Sequence, residues 1–487
     1  MALDTIPKQE GGKLKAVASG TLPNGKPVVV NADGTVSVVD GETVTYEGGT
    51  PVVFESGSTA QTSAVYDANA QKVVIVYADE ANADYGTAVV GTVSGTSISF
   101  GTPVLVNGNR RLIFPSAVYD TNAQKIVIAY RDAGNSNYGT GIVGTVSGTS
   151  ISFGTAVVFN SGESNYNSAV YDANAQKIVI AYQDAGNSSH GTAIVGTVSG
   201  TSISFGSEVV FKSASTLYSS IAYDTNAQKV VIVYGYAPNY HGTAIVGTVS
   251  GTSISFGTEV VFNAADSASL AITYEAAAQK VVIAYRNSNN PNPSVAIVGT
   301  VSGTSISFGT PVVFDTAWSN SYISIVFDSN SNVVVISYRD NDNSQYGTSI
   351  VGMVSGTSIS FGDAEVFSGN NTANYIASTY DANAQRVVAA YQDAGNSGYG
   401  TAAVFRPGYS STNLTAENYI GMSTGGAVAD GDNATVDIVG TVNKEQSGLT
   451  AGQQYYVQTD GTVGTTPANP SVLAGTAVSA TKMVVKS

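Results

Sequence analysis

The stretch YDANAQK, residues 66–72, decides the fold because the chain repeats it along most of its length. Seven copies or close variants occur, and the acidic residues of successive copies lie 51 to 53 residues apart. These acidic residues are Asp67, Asp120, Asp172, Asp224, Glu275, Asp328 and Asp381. A second phrase, GTVSGTSISFG, begins at Gly91, Gly144, Gly196, Gly247, Gly299 and Gly352. Repetition at a fixed period indicates tandem duplication of one structural unit.

Each repeat predicts four short strands. In the second repeat they are SAVYD (116–120), KIVIAY (125–130), TGIVGTV (140–146) and SISFGTAVVF (150–159). They are rich in the β-branched and aromatic residues that suit a pleated sheet, and the turn sequences DTNAQ and SGT separate them. No segment shows helical periodicity. Four strands in a repeat of about 50 residues are typical of a β-propeller.

The ring closure can also be predicted. Six copies of GTVSGTSISFG accompany seven copies of YDANAQK, so the last repeat lacks its outer strand. The stretch GTVSVVDGETVTYEGGTPVVF (34–54) matches the second half of a repeat, with a five-residue insertion. We therefore expect an all-β protein with a seven-bladed propeller, closed by an N-terminal strand that leaves no free sheet edge, and a small C-terminal β domain. The predicted boundaries are 1–33 for an N-terminal β arm, 34–407 for the propeller and 408–487 for the C-terminal module.

Composition excludes several classes of protein. The 487 residues include no cysteine, so disulfide scaffolds and cysteine-ligated metal sites are excluded. The 20 Lys and Arg against 35 Asp and Glu give a net charge of −15, which argues against nucleic-acid binding. The start, MALDTIPKQEGGKLK, contains no apolar stretch, and no apolar run is long enough to span a membrane. We expect no secretory signal, no membrane insertion and no cofactor.

A ligand site is expected on one face of the propeller. The DANAQK and VSGTS turns share one face and are nearly identical in all repeats, whereas the links between blades share the opposite face and vary. Varied loops on a rigid scaffold are the usual place for recognition. The candidate ligand-binding residues in these links are Arg110, Arg111, Tyr166, Tyr218, Trp318, Tyr322 and Tyr375. Their aromatic side chains leave two interpretations open, packing between blades and ligand contact.

Familiar catalytic chemistry is missing from the sequence. No Ser/His/Asp order, G-x-S-x-G elbow, HExxH motif or P-loop occurs, so we predict that the protein is not an enzyme. The acidic residue of YDANAQK is predicted to form a turn by accepting backbone N–H groups. The loops DAGNS (132–136, 184–188 and 393–397) and DNDNS (340–344) favour turns, with calcium binding as the alternative. We predict no metal site.

Three stretches carry a resemblance to known proteins. The opening KAVASGTLPNGKPVVVNADGTVSVV resembles the start of virion structural proteins of marine tailed phages, cyanophages in particular. The repeat text YDANAQKVVIVYAD, with GTVSGTSISFGTPVVF, resembles repeats of tail-fibre-like proteins of these viruses. The end of the chain, from NLTAENYIGMST to ATKMVVKS, is similar to a module shared among such virion proteins.

The resemblance implies a virion structural protein, made in the host cytoplasm, that forms a tail-fibre-like appendage. Its propeller would attach to a host surface glycan or protein, and its C-terminal module would dock on other virion proteins or mediate homo-oligomerisation. The alternative is a capsid or neck decoration protein with a purely structural role. A polysaccharide-degrading enzyme is the least favoured interpretation.

Overall fold

The computed structural model describes residues 8–10, 12–288, 292–316, 320–415, 417–468 and 471–486, and most of these residues lie in antiparallel β-strands. Within these ranges the only helices are the 3-10 turns Glu80–Asn82, Ala185–Asn187 and Ala394–Asn396. The predicted all-β propeller class is confirmed. The chain divides into two compact units, one formed by Tyr46–Gly408 and the other by Met1–Thr45 together with Tyr409–Ser487.

In the unit Tyr46–Gly408, strand pairing among the described residues forms seven successive four-stranded blades. The innermost strands lie in the stretches Val52–Asp67, Leu112–Asp120, Val157–Asp172, Val209–Asp224, Val260–Glu275, Ser321–Asp328 and Ala373–Asp381. The second strands are Lys72–Asp79, Lys125–Asp132, Lys177–Asp184, Lys229–Tyr236, Lys280–Asn287, Val333–Asp340 and Arg386–Asp393.

The third and fourth strands complete each blade. The third strands are Tyr85–Ser94, Tyr138–Ser147, His190–Ser199, His241–Ser250, Ser294–Ser302, Tyr346–Ser355 and Tyr399–Arg406. The fourth strands begin with Ser97–Phe100, Ser150–Phe153, Ser202–Phe205, Ser253–Phe256, Ser305–Phe308 and Ser358–Phe361. After a short break they continue as Val104–Leu105, Val312–Asp315 and Glu365–Val366, or as the first half of the next long innermost strand.

The second strand of each blade is apolar on both faces because a neighbouring blade covers each side. Residues 178–184 of Lys177–Asp184 are all buried, which explains why the sequence shows a continuous apolar run there rather than alternation. The tyrosines near the ends of these strands are at most 1% exposed, namely Tyr77, Tyr130, Tyr182, Tyr234, Tyr285, Tyr338 and Tyr391. Their repeated position therefore reflects packing between blades.

Aromatic side chains join successive blades. The Phe159 ring, from the outer strand of the second blade, lies 5.2 Å from Tyr182 and 5.5 Å from Phe205 of the third blade. Phe54, Phe211, Phe262 and Phe314 repeat this arrangement. A Cβ on Gly139 would lie 2.5 Å from the Phe159 ring, so this third-strand position requires glycine.

The acidic residue of YDANAQK forms a turn, as predicted. The Asp172 Oδ1 accepts the N–H groups of Asn174 and Ala175 at 3.0 and 2.9 Å. The hydroxyl of Tyr223 in the next blade accepts the Asn174 N–H at 3.2 Å, so the same turn also links two blades. Burial, with the Asp172 carboxylate nearby, raises the pKa of Tyr223 to about 12.

An N-terminal strand closes the ring. Val52 and Val53 pair with Ala402 and Thr401 of the last third strand, and Gly48 pairs with Phe405. The pairing residues lie between 47 and 58, whereas the sequence match covers 34–54. Residues 34–45 belong instead to the other unit, because Val36–Val38 pairs with Pro27–Val30 and Gly41–Val44 pairs with Tyr409–Thr412.

The second unit combines both ends of the chain. Its six-stranded sheet has the order Lys8–Glu10, Lys13–Val17, Asn433–Ile438, Tyr419–Thr424, Pro27–Val30 and Val36–Val38. Its five-stranded sheet has the order Val442–Asn443, Lys482–Val485, Leu473–Ser479, Gln454–Val457 and Val463–Gly464. The sequence analysis separates the arm 1–33 from the module 408–487. The structure places them in one unit because arm strands flank a C-terminal hairpin in the same sheet.

Candidate functional site

Every innermost strand of the propeller carries an irregularity at the same place. The register with the second strand shifts after the first or second residue of the paired segment, as between Asn165 and Ser168. The same shift occurs in the other blades. One residue in each shift has a φ between 50° and 55°, and these residues are Gln61, Phe114, Tyr166, Tyr218, Ser269, Tyr322 and Tyr375. We call them the bulge ring.

The bulge ring has a conformational cost that its position explains. A left-handed conformation costs a non-glycine residue about 1–2 kcal/mol. A bulge turns a side chain away from the direction that regular pleating would give it. Here the seven side chains line one cavity of about 520 Å³ at the start of the innermost strands. This is the end of the propeller at which the variable links enter, and the volume lies in the range of roughly 300–1,000 Å³ typical of ligand pockets.

The aromatic members of the bulge ring form two groups. Phe114 and Tyr166 have ring centroids 4.9 Å apart, and Tyr166 and Tyr218 are 5.3 Å apart. On the other side Tyr322 and Tyr375 lie 5.0 Å apart. Gln61 and Ser269 occupy the two remaining positions. The cavity is therefore asymmetric, although the blades that form it are nearly identical in sequence.

The cavity continues inward along the innermost strands. Beneath the bulge ring lies a layer that is aliphatic in three consecutive blades and contains hydroxyl, amide and proline side chains in the other four, consisting of Thr62, Pro115, Asn167, Ser219, Leu270, Ile323 and Ile376. A deeper cavity of about 360 Å³ follows, lined by small residues such as Ser63, Ser116 and Ala377. The hydroxyls at this level also join blades, since the N–H of Ala117 donates to Ser63 Oγ at 3.0 Å. The narrow part of the channel therefore contributes hydrogen bonds between blades.

Polar side chains from the second strands border the mouth. They follow the buried tyrosines and are Arg131, Gln183, Arg286, Arg339 and Gln392. The Arg131 guanidinium lies 5.2 Å from the Phe114 ring centroid and 2.6 Å from Glu163 Oε1. Arg339 lies 5.0 Å from the Tyr322 ring centroid. Arg286 and Arg339 line the cavity directly.

Burial raises the pKa of two tyrosines at the mouth. Burial is the main cause that raises the pKa of Tyr166, with Tyr218 adding to it. Burial likewise raises the pKa of Tyr375, assisted by Tyr322 and Glu80. Tyr166, Tyr218, Tyr322 and Tyr375 are half-buried, and their hydroxyls form no hydrogen bond within the ranges that the structure describes. They present both apolar ring faces and unused hydroxyls.

The structure brings four of the seven sequence-predicted residues together: Tyr166, Tyr218, Tyr322 and Tyr375. Arg110 and Arg111 lie elsewhere on the links. The Arg110 Nη1 donates to the Gly134 carbonyl at 2.9 Å, and Arg111 pairs with Asp84. Neither arginine lines the cavity, because these contacts hold both side chains within the loops. Trp318 lies outside the described residues.

Sequence reasoning missed several residues at the mouth, namely Gln61, Phe114, Ser269, Arg286 and Arg339. A signal was present. Each bulge-ring residue lies five positions before the aromatic residue of YDANAQK, as Phe114 lies before Tyr119. If the repeats are aligned on that aromatic residue, the bulge-ring residues fall at one aligned position. The arginines likewise share one aligned position, directly after the tyrosine of the second strand.

The DAGNS and DNDNS loops form turns. The Asp393 Oδ1 accepts the Asn396 N–H at 3.1 Å, and the Asp340 Oδ1 accepts the Asn343 N–H at the same distance. Among the described residues, no three Asp, Glu or His side chains lie close enough to hold a metal ion. In that part of the chain, no helix is long and apolar enough to cross a membrane.

Comparisons with known proteins give structural likeness alone. No protein-family model matches the chain, and no curated protein matches it. A leech intramolecular trans-sialidase is similar with a TM-score of 0.43 and 9% identity, over 75% of this chain and 70% of that one. The Ruminococcus gnavus intramolecular trans-sialidase has a TM-score of 0.45 and 9% identity, over 73% and 97%. AofleA from Arthrobotrys oligospora has 0.40 and 9%, over 71% and 96%.

One prediction is corrected by these comparisons. From the missing catalytic motifs we predicted that the protein is not an enzyme, and this prediction was wrong. Two of the similar structures are trans-sialidases, which are enzymes. The physical reason is that propeller sites are assembled from residues far apart in the chain, so no local motif has to mark them. At 9% identity the likeness concerns the fold, and it assigns no activity to this chain.

Proposed function

We propose that the propeller binds a glycan at the mouth of its central channel. The observation that carries the proposal is the bulge ring, in which five of seven equivalent positions hold aromatic side chains around one cavity. A sugar has apolar C–H faces and hydroxyl edges. Half-buried rings with unused hydroxyls match both, since aromatic side chains combine an apolar face with a polar end.

The form of the cavity also supports a small or chain-like ligand. A protein partner needs roughly 800 Å² of surface on each side, whereas the bulge ring encloses a concave mouth. Gln61 lies at the rim and Asn167 in the layer below, and their amides supply donors and acceptors for hydroxyl groups beyond the hydrogen bonds that they form with Phe114 and Ser164. These are the features expected of a carbohydrate site on a preformed scaffold.

The test is a glycan array probed with the full chain, followed by calorimetry on the glycans retained. We expect saturable binding to a restricted set of glycans, and competition between members of that set. Release of reducing sugar is measured on the same glycans, because the binding experiment does not by itself distinguish capture from cleavage. Absence of saturable binding on arrays of bacterial, algal and animal glycans would contradict the proposal.

We further propose that the protein is part of a phage virion, in a tail-fibre-like appendage that attaches to a host surface glycan. The sequence resemblance to virion proteins of marine tailed phages supports this step. Docking to other virion proteins and homo-oligomerisation through the unit that contains both chain ends belong to the same proposal. Immunogold labelling of intact virions tests it: label at fibre tips is expected, and label over the capsid or neck would favour a decoration protein.

A further inference from the structure

Three of the second-strand positions at the mouth carry arginine: Arg131, Arg286 and Arg339. These residues occupy the same position in three different repeats, since each directly follows a fully buried tyrosine. Equivalent positions in similar surroundings allow a direct comparison of what each guanidinium contacts. The comparison separates Arg286 from the other two.

Arg131 and Arg339 are held by matching hydrogen-bond chains. Arg131 Nη1 donates to Asn165 Oδ1, and the Asn165 amide donates to Gln183 Oε1 at 3.0 Å. Arg339 Nη1 donates to Asn374 Oδ1 at 2.7 Å, and the Asn374 amide donates to Gln392 Oε1 at 2.9 Å. In each case the glutamine amide then donates to a backbone carbonyl of the following blade.

Each of these two guanidinium groups also lies over an aromatic ring, Phe114 for Arg131 and Tyr322 for Arg339. Arg131 has a carboxylate partner as well, Glu163 at 2.6 Å. The protein thus shows what this position accepts: an amide oxygen, an aromatic face and a carboxylate. Both arginines are already supplied with such partners by the chain itself.

Arg286 has none of these partners. The residue that corresponds to Asn165 and Asn374 in the next blade is Ser321, and the bulge-ring residue of its own blade is Ser269. Within the described part of the chain, the Arg286 side chain forms no ion pair or hydrogen bond; its buried Nε has no acceptor, and the Nε of Arg131 lacks one as well. Among the described residues, no ion pair joins Arg286 to Asp315, which accepts the hydroxyl of Tyr338, or to the exposed Asp266.

Two further polar atoms at the same cavity are unpaired. The hydroxyls of Ser219 and Ser321 are buried and have no partner among the described residues. Both residues line the cavity together with Arg286. Buried polar groups in folded proteins are nearly always hydrogen-bonded, so these three unpaired groups on one cavity are available to a ligand there. Unpaired buried atoms such as Thr145 Oγ1 also occur elsewhere, and it is the shared cavity that sets these three apart.

We propose that Arg286 binds the carboxylate of an acidic sugar, and that the cavity therefore selects acidic over neutral glycans. This inference rests on the proposed glycan-binding function. A guanidinium offers two parallel N–H groups that fit a carboxylate in a bidentate arrangement. The absence of an aromatic side chain at Ser269 leaves the approach to Arg286 open, and the hydroxyls of Ser219 and Ser321 supply additional donors.

The test uses two pairs of sugars that differ only in the acidic group: glucuronate against glucose, and galacturonate against galactose. Affinities for the full chain are measured by ligand-observed NMR at low ionic strength. We expect at least one uronate to bind about tenfold or more tightly than its neutral partner, since a charge-assisted hydrogen bond contributes about that factor. The preference should decrease as salt is added.

The variant Arg286→Gln removes the charge, and Arg111→Gln is the matched control because it removes the same charge from the same face outside the cavity. We expect Arg286→Gln to abolish the preference for the uronate and Arg111→Gln to retain it, with unchanged melting temperatures. Equal affinity for acidic and neutral sugars, or a preference that survives Arg286→Gln, would overturn the inference while leaving glycan binding intact. Failure of all four sugars to bind also overturns it, and the glycan array decides the proposed function separately.

Discussion

Replacing Tyr322 and Tyr375 together by alanine is expected to lower the affinity for the bound glycan by about 100-fold or more. The two rings pack at 5.0 Å and form one side of the mouth, so the double change removes a complete wall of the cavity. Aromatic residues at the centre of a binding site commonly contribute about 2 kcal/mol each, and each 1.4 kcal/mol corresponds to a factor of ten. Calorimetry with the best glycan from the array measures the change.

The matched control is Tyr346→Ala. Tyr346 is also half-buried and begins a third strand in the same blade as Tyr322, but it does not line the cavity. We expect its affinity to match that of the unaltered protein. If the double variant keeps full affinity, or if Tyr346→Ala loses as much, the mouth of the channel is not the binding site. Circular dichroism of both variants establishes that the propeller remains folded.

The variant Phe54→Ala is expected to destabilise the propeller by about 3–5 kcal/mol, the usual cost of truncating a buried phenylalanine. Phe54 belongs to the N-terminal strand that completes the last blade, and it is 7% exposed. Its ring lies 5.1 Å from Tyr77 and 5.7 Å from Phe100. The variant would therefore weaken the packing at the junction between the last and first blades. Urea unfolding monitored by near-ultraviolet circular dichroism gives the free energy of unfolding.

Phe159→Ala is the internal reference for this measurement. Phe159 is 6% exposed and makes the same contacts between two blades that the chain joins directly. If the ring is closed in solution as in the structure, both variants lose the same stability to within the experimental error. A small loss for Phe54→Ala beside a large one for Phe159→Ala would mean that the closing strand is detached, because a mobile strand buries no side chain.

The repeat made the architecture predictable. A period of 51 to 53 residues, four strands per period and a missing outer strand led to a closed propeller, and the acidic turn residue behaved as its chemistry predicts. Repeats permit this because each blade has the same local contacts, so one interpretation applies throughout. The division into arm, propeller and module was less informative, since strands such as Lys13–Val17 and Asn433–Ile438 pair over more than 400 residues.

The residues that line the cavity were only partly predictable. Tyr166, Tyr218, Tyr322 and Tyr375 were included in the prediction because aromatic residues stand out in variable links, and Arg110 and Arg111 were included because they lie in such a link. Phe114 was missed although it follows both arginines closely, since nothing in the link itself marks the bulge. Arg286 was missed because it lies in a second strand, where the neighbouring residues predict a buried core.

The sequence by itself determined the strands, the turns, the blade period and the face on which variation is concentrated. These features depend on local chemistry: β-branched runs, turn-forming residues and the regular spacing of duplicated text. Only the tertiary structure decided which residues meet, because the ring closure brings seven equivalent bulges, each about 50 residues from the next, around one cavity. It also decided that Arg131 and Arg339 receive hydrogen-bond partners whereas the Arg286 side chain has none among the described residues, since such partners come from the neighbouring blade rather than from neighbours in sequence.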